Sequence, residues 1–123
     1  MKRENLQSLP IESLLARFEI LCVEQYNSLE REEINIYNNR YDKVERIINE
    51  LKSRPGDQRS KLSKFYDHEN SQVALTAAEA NLAIDYRSAR KVIEEIAESG
   101  GMPQEGSAGM TLQFLDDGIF KPT

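Results

Sequence analysis

Asp67-His68-Glu69-Asn70-Ser71-Gln72-Val73-Ala74-Leu75-Thr76-Ala77-Ala78-Glu79-Ala80-Asn81-Leu82-Ala83-Ile84 is the stretch whose reading decides the fold. It opens on turn formers and passes into an alanine-rich run. Asn70 or Ser71 is placed to cap a helix over residues 71–84, accepting from its unsatisfied first N–H groups. Val73, Ala77, Ala80 and Ile84 form its seam. Alanines there let two backbones approach closely, so this helix is expected to be the most buried. Asp85 is expected to cap the next helix, residues 86–99. There Ala89, Val92, Ile93, Ile96 and Ala97 recur at the spacing of a one-sided helix. Ser99-Gly100-Gly101 ends it by supplying left-handed conformations. A turn, an alanine-packed helix and a second amphipathic helix are the pattern of a helical repeat.

The same periodicity extends upstream. A first helix is expected over residues 10–27, with proline at its start, where a missing N–H costs nothing. Leu14, Phe18 and Leu21 line its stripe, Leu15 and Cys22 lie beside them, and Gln25 interrupts it. A second helix is expected over residues 31–53, with Ile34, Tyr37, Tyr41, Val44, Ile48 and Leu51 as one apolar seam. Arg54-Pro55-Gly56 stops it, since proline disfavours helix in the preceding residue. Asp57 reads as the cap of a short third helix, residues 58–66. Residues 102–123 are rich in glycine and proline and read as irregular, with one short helical turn near 111–116. They also carry Met110, Leu112, Phe114, Leu115, Ile119 and Phe120, too many apolar groups for a solvated tail. The segment is expected to dock as a cap, with Phe114, Ile119 and Phe120 against the preceding two helices.

The 123 residues are expected to form a single domain: helices over about 10–99, then an irregular docked segment over 100–123. Sixteen basic against 21 acidic residues give a net charge of −5. That balance disfavours nucleic acid as the main partner, because phosphate binding needs a basic surface. A single cysteine excludes an internal disulfide and agrees with a reducing compartment. Met1-Lys2-Arg3-Glu4-Asn5 has no apolar run behind it, so neither signal peptide nor membrane span is expected, and the location is expected to be cytoplasmic.

The pattern from Leu62 to Ala97 resembles an armadillo or HEAT unit, with Ala74 where HEAT units often carry arginine. More specifically, the chain resembles a small bacterial family catalogued as a domain of unknown function. The resemblance rests on Arg54-Pro55-Gly56-Asp57-Gln58-Arg59, Tyr66-Asp67-His68, Gln72-Val73 with Ala77-Ala78, and Ala108-Gly109-Met110. It rests also on the closing run Leu115-Asp116-Asp117-Gly118-Ile119-Phe120-Lys121-Pro122-Thr123. It implies an all-α, armadillo-like α-α superhelix of about five helices and implies no activity.

Catalytic chemistry has little to work with. Any histidine- or cysteine-dependent site must use His68 or Cys22. Asp67, His68 and Glu69 sit side by side in a turn, fewer and worse placed than the ligands zinc needs, so a structural role at a helix end is expected. Cys22 reads as a small core residue. The pairs Glu32-Glu33 and Glu94-Glu95 are neighbours on helices and point apart. Asp116-Asp117-Gly118 lacks the spacing of a calcium loop and reads as a turn. No glycine pattern matches a phosphate loop and no serine sits in a nucleophile elbow. No enzyme, metal or cofactor is expected.

A binding surface remains. Asn39, Asp42, Arg46 and Asn49 lie opposite the apolar seam of the second helix, and Gln72, Thr76 and Glu79 form the polar stripe of the fourth. Asn39, Asp42, Arg46, Gln72, Thr76 and Glu79 are expected to line a partner surface, with Tyr41 or Tyr37 as an aromatic anchor at its edge. A protein partner is expected, with a cognate toxin of a bacterial immunity protein as the leading form. A regulatory adaptor is the alternative. A nucleic-acid-bound repeat, using Arg54, Arg59, Lys61 and Lys64, is the third.

Overall fold

The structure, a computed structural model, describes residues 5–123, and every regular element among them is helical. The leader-free reading of residues 1–4 lies outside the described residues. The chain divides into two compact units, Met1–Lys61 and Leu62–Thr123.

The first unit is built on α1 (Ile11–Glu30) and α2 (Ile34–Ser53). Their joint is shorter and sharper than the spacing predicts. Glu32 takes a left-handed φ of 57°. Its N–H donates to the Leu29 carbonyl, and the Glu33 N–H donates to that of Ser28. These two bonds form a Schellman turn, which satisfies the last carbonyls of α1. So short a turn returns the chain antiparallel. Arg40 Nε donates to Glu24 Oε1 at 2.8 Å, joining residues six before and six after the helix ends at 30 and 34. Leu14, Phe18, Cys22, Val44 and Leu51 are buried together with Ile47 and Ile48. Gln25 is 1% exposed within this apolar set, and its Oε1 has no hydrogen-bond partner among the described residues.

Arg54 closes the unit. Its Nε donates to Glu50, and its Nη2 donates to the carbonyls of Leu6 and Leu9, at 3.0 and 2.7 Å. The 3-10 turn Leu6–Ser8 is thereby tied to the end of α2. Gly56 (φ 79°) and Asp57 (φ 50°) then turn the chain into a second 3-10 helix, Gln58–Phe65. Asp57 accepts from the Arg59 N–H at 3.3 Å, as a cap would, and from the Arg59 side chain at 2.9 and 2.7 Å.

The second unit holds α3 (Ser71–Ala80), α4 (Tyr86–Ala97) and α5 (Gln104–Asp116). Asn70 caps α3, its Oδ1 accepting from Gln72 and Val73 N–H. Six of the ten α3 residues are buried, four of them Val73, Ala74, Ala77 and Ala78. The helix stops at Ala80, four residues earlier than its pattern suggests. The Asn81 carbonyl accepts from both Ile84 and Asp85 and turns the chain, so Ile84 leaves the seam and is exposed. Asp85 stands before α4 but makes no side-chain cap. Its Oδ2 accepts instead from the Tyr66 hydroxyl at 3.0 Å.

The main correction concerns residues 102–123. They are not mostly irregular: α5 is a 13-residue helix, despite Gly106 and Gly109, each costing about 1 kcal/mol relative to alanine in a helix interior. Burial on one face offsets that cost. Gln104 and Ala108 are buried, and Leu112 and Leu115 pack on a core of Ala74, Leu75, Ala78, Leu82, Ala89, Ile93 and Ile96. Gln104 Nε2 donates to Gln72 Oε1, and Thr111 Oγ1 donates to Glu79 Oε2. Both bonds span 32 residues. The equal offset means that α3 and α5 run parallel. The expected capping residues are therefore replaced. Phe114, Ile119 and Phe120 are 37%, 69% and 37% exposed, because the face carrying Ala108 and Leu112 turns inward and theirs turns out.

Two stability outcomes are expected. Gln25→Met removes a buried unpaired acceptor at nearly constant volume and should raise stability by about 1 kcal/mol in urea titration. Glu32→Gly relieves a left-handed non-glycine residue and should add about 0.5–1 kcal/mol by the same measurement.

Candidate functional site

On α2 the apolar seam leaves the core halfway along. Val44, Ile48 and Leu51 are buried, while Ile34 is 57% and Tyr41 50% exposed, with Ile36 also exposed. The first half of α2 thus presents large apolar side chains to solvent. Helical spacing puts Asn39, Asp42 and Arg46 along the opposite side. Asn39 and Asp42 are exposed and Arg46 is half-buried. Asn39 Oδ1 accepts from Arg40, the same arginine that reaches Glu24. Arg46 turns toward the N-terminal segment. With Asn49, Glu50 and Ser53 it lines an open groove of about 520 Å³, whose other wall is Asn5, Leu6 and Gln7.

The α3 residues are placed differently from the expectation. Gln72 is 8% exposed and lies under α5, bonded to Gln104 and to Thr76 Oγ1. The Thr76 hydroxyl donates to the Gln72 carbonyl at 2.7 Å. Glu79 accepts from Thr111. Gln72 and Glu79 therefore hold α5 on α3, Thr76 is bonded to Gln72 within α3, and the three do not form an open partner surface. Of the expected partner-binding set, Asn39, Tyr41, Asp42 and Arg46 share one helix of the first unit, and Gln72, Thr76 and Glu79 are consumed within the second.

The residues weighed for chemistry have structural work. His68 Nδ1 accepts the Asn70 N–H at 2.9 Å, and its ring lies tilted against Phe65 with centroids 6.1 Å apart. It braces the capping residue of α3. Cys22 is fully buried in α1. Asp116 receives both terminal nitrogens of Arg90, at 2.8 and 3.1 Å, and the arginine holds its carboxyl below the usual range. Arg90 also bonds Glu94 and the Tyr86 hydroxyl, so α4 and α5 are pinned along an edge. Burial, then the bond to Asp85, pushes the Tyr66 hydroxyl well above the usual phenol range. Among the described residues no group of three or more His, Cys, Asp or Glu is placed to hold a metal ion. Of the four cations considered for nucleic acid, Arg54 and Arg59 are spent on Glu50, backbone carbonyls and Asp57. Lys61 and Lys64 stay exposed, with Lys64 over the Phe65 ring.

The outward face of α5 is the surface that sequence reasoning missed. Met110, Phe114, Ile119 and Phe120 stand exposed on or beside it. The available signal was the second apolar set, Ala108, Leu112 and Leu115, at spacings of four and three. That set claims the inner face and leaves Met110 and Phe114 outside.

These features define an all-α protein with exposed apolar helix faces and no assembled reactive constellation among the described residues. Residues 12–116 match the family described as a domain of unknown function (DUF2019), and the chain belongs to that family. It is similar to the protein RPA1889 from Rhodopseudomonas palustris CGA009, known from a crystal structure. The two are 39% identical over 98% of this chain and 100% of that one, with a TM-score of 0.95. No curated protein matches. No helix among the described residues is long and apolar enough to cross a membrane.

Glu45, half-buried on α2, gives a pH signature of this region. Burial pushes its carboxyl above the ordinary value. The folded state therefore holds the proton more tightly than the unfolded one. The stability this contributes is present at low pH and is lost as pH rises through the raised value. Glu45→Gln should raise the melting temperature at neutral pH and leave it nearly unchanged below about pH 4, where the unfolded carboxyl is protonated too.

Proposed function

We propose that this protein is a non-catalytic protein-binding module whose partner docks on the exposed first half of α2. The observation that carries this reading is the seam that leaves the core: Ile34 and Tyr41 are each half or more exposed beyond buried Val44, Ile48 and Leu51. A rigid aromatic set among apolar and polar neighbours is the composition of an interface anchor. Asn39, Asp42 and Arg46 lie on the other side of the same helix, so a partner that also uses them reaches around α2, with Arg46 bordering the N-terminal groove. The armadillo/HEAT-like reading of the helices belongs to this proposal, since such repeats work as binding scaffolds.

Within that class, the reading is a cytoplasmic bacterial immunity protein that neutralises a cognate toxin. The net charge of −5 supports it, because an acidic inhibitor is steered to a basic toxin. A regulatory adaptor is the second reading, and it shares the α2 surface. The nucleic-acid reading loses support from Arg54 and Arg59, whose guanidinium groups are already bonded inside the protein.

The test is to purify the tagged protein from its native bacterium and then express what accompanies it. A stoichiometric partner that is toxic alone and harmless with this protein is the expected result. A resident complex with no toxicity would transfer the reading to the adaptor. Tyr41→Ala combined with Asp42→Arg should weaken partner binding by about 10–100-fold, the range of a lost anchor residue, with the melting temperature retained. Unchanged affinity would remove α2 as the docking surface.

A further inference from the structure

The outward face of α5 calls for a covering. Gly106-Ser107-Ala108-Gly109-Met110-Thr111-Leu112-Gln113-Phe114-Leu115 is an uncharged run of ten residues in a chain that is 30% charged. Its inner side is occupied by the core described above. Its outer side carries Gly106, Met110, Gln113 and Phe114 by helical position. Two flanking segments widen this surface. At the N-terminal end the Met102 side chain lies beside Gly106, where an added Cβ would meet Met102 Cε at 3.2 Å. At the C-terminal end Gly118 takes a φ of 74°. The Gly118 N–H returns to the Leu115 carbonyl at 3.2 Å, and those of Ile119 and Phe120 return to the Phe114 carbonyl at 2.9 and 3.1 Å. That Schellman turn sets two more apolar residues next to Phe114. Met102, Met110, Phe114, Ile119 and Phe120 are 65%, 57%, 37%, 69% and 37% exposed.

We infer that this face is covered by a second copy of the same chain, α5 against α5 about a two-fold axis near Met110. The first ground is area. With roughly 200 Å² for a fully exposed residue of this size, the five side chains leave on the order of 500 Å² of largely apolar surface. A stable interface of standard size buries roughly 800 Å² on each partner, a little over half of it apolar. The patch therefore supplies about the apolar share that one side of such a dimer needs. The second ground is self-complementarity. A two-fold interface presents the same patch twice, so a large residue away from the axis packs best over a small one at the mirrored position. Antiparallel pairing about Met110 brings Phe114 of each copy over Gly106 of the other, four residues either side of the axis. Met102 yields there because it is the flexible end of a side chain. The third ground is charge: residues 106–115 carry none, so the centre of the pairing buries no ion, and Asp117 is the first charged residue along this face. This surface shares no residue with the α2 face, and the inference stands whether or not that face binds a partner.

The experiment is sedimentation velocity of the full chain across micromolar concentrations, at low and high salt. The mass is expected to rise with concentration from 14.1 kDa towards about twice that value. Association should tighten at high salt, because two copies of net charge −5 repel and salt screens the repulsion. Binding of a basic partner would show the opposite dependence. Met110→Glu should remain monomeric throughout, with the melting temperature that the wild-type chain has at dilutions where it too is monomeric. Met110→Cys should yield a disulfide-linked dimer on mild oxidation, as a residue at the axis requires, while Ser88→Cys on exposed α4 surface should not. A monomer mass under every condition overturns the inference. So does a dimer that persists in Met110→Glu, or one that fails to cross-link through Met110→Cys.

Discussion

How closely α5 can approach α3 and α4 governs the second unit. Ala74, Ala78 and Ala89 on the receiving helices and Ala108 on α5 are all buried, and small side chains are what allow packed helices a short separation. Once α5 is that close, every polar group it covers must find a partner or stay orphaned at a cost of about 1–3 kcal/mol. Gln72 and Gln104 meet this demand by bonding each other, and Glu79 meets it through Thr111. At the outer edge, Arg90 and Asp116 set the azimuth of α5 about its axis. Close approach and polar pairing together dictate which face of α5 is hidden and which is shown.

Much of this was legible in the residues. Asn70 caps α3 because an extended residue with a short carboxamide can reach the second and third N–H groups beyond it, and that signature is local. The one-sided pattern of α4 is equally local, with Ala89, Ile93 and Ile96 buried as spaced. What failed depended on distant partners. Glycines at 106 and 109 read as irregular chain, but packing on a core drawn from residues 74 to 96 overrides their poor helix propensity. Glu32 carries no glycine signal at a left-handed position, so the break between α1 and α2 was legible but its tight turn was not. Gln72, Thr76 and Glu79 look like an open polar stripe until the complementary polar residues of α5 are placed beside them.

The binding surface was half legible for the same reason. The α2 seam could be read from its spacing, but the point where it leaves the core depends on how far the first unit extends. Val44 lies inside and Tyr41 outside, and three residues of spacing give no hint of that boundary. The Arg-Pro-Gly-Asp stretch was legible as a stop for α2. Its larger role was not: a guanidinium that holds two carbonyls more than forty residues away needs the folded chain to be seen.

The parallel placement of α5 against α3 also bears on biosynthesis. The α1–α2 hairpin is made of contacts between neighbouring segments and is complete soon after residue 53 has been added. The α3–α4 pair, in contrast, displays Ala78, Ile93 and the buried Gln72 amide until residues 104–115 have followed. Domains made early in translation fold first, and apolar surface exposed in the interval is open to misassociation. The second unit therefore spends part of its synthesis as an unfinished helical pair, and of the two units it has the greater need of protection by chaperones on the ribosome.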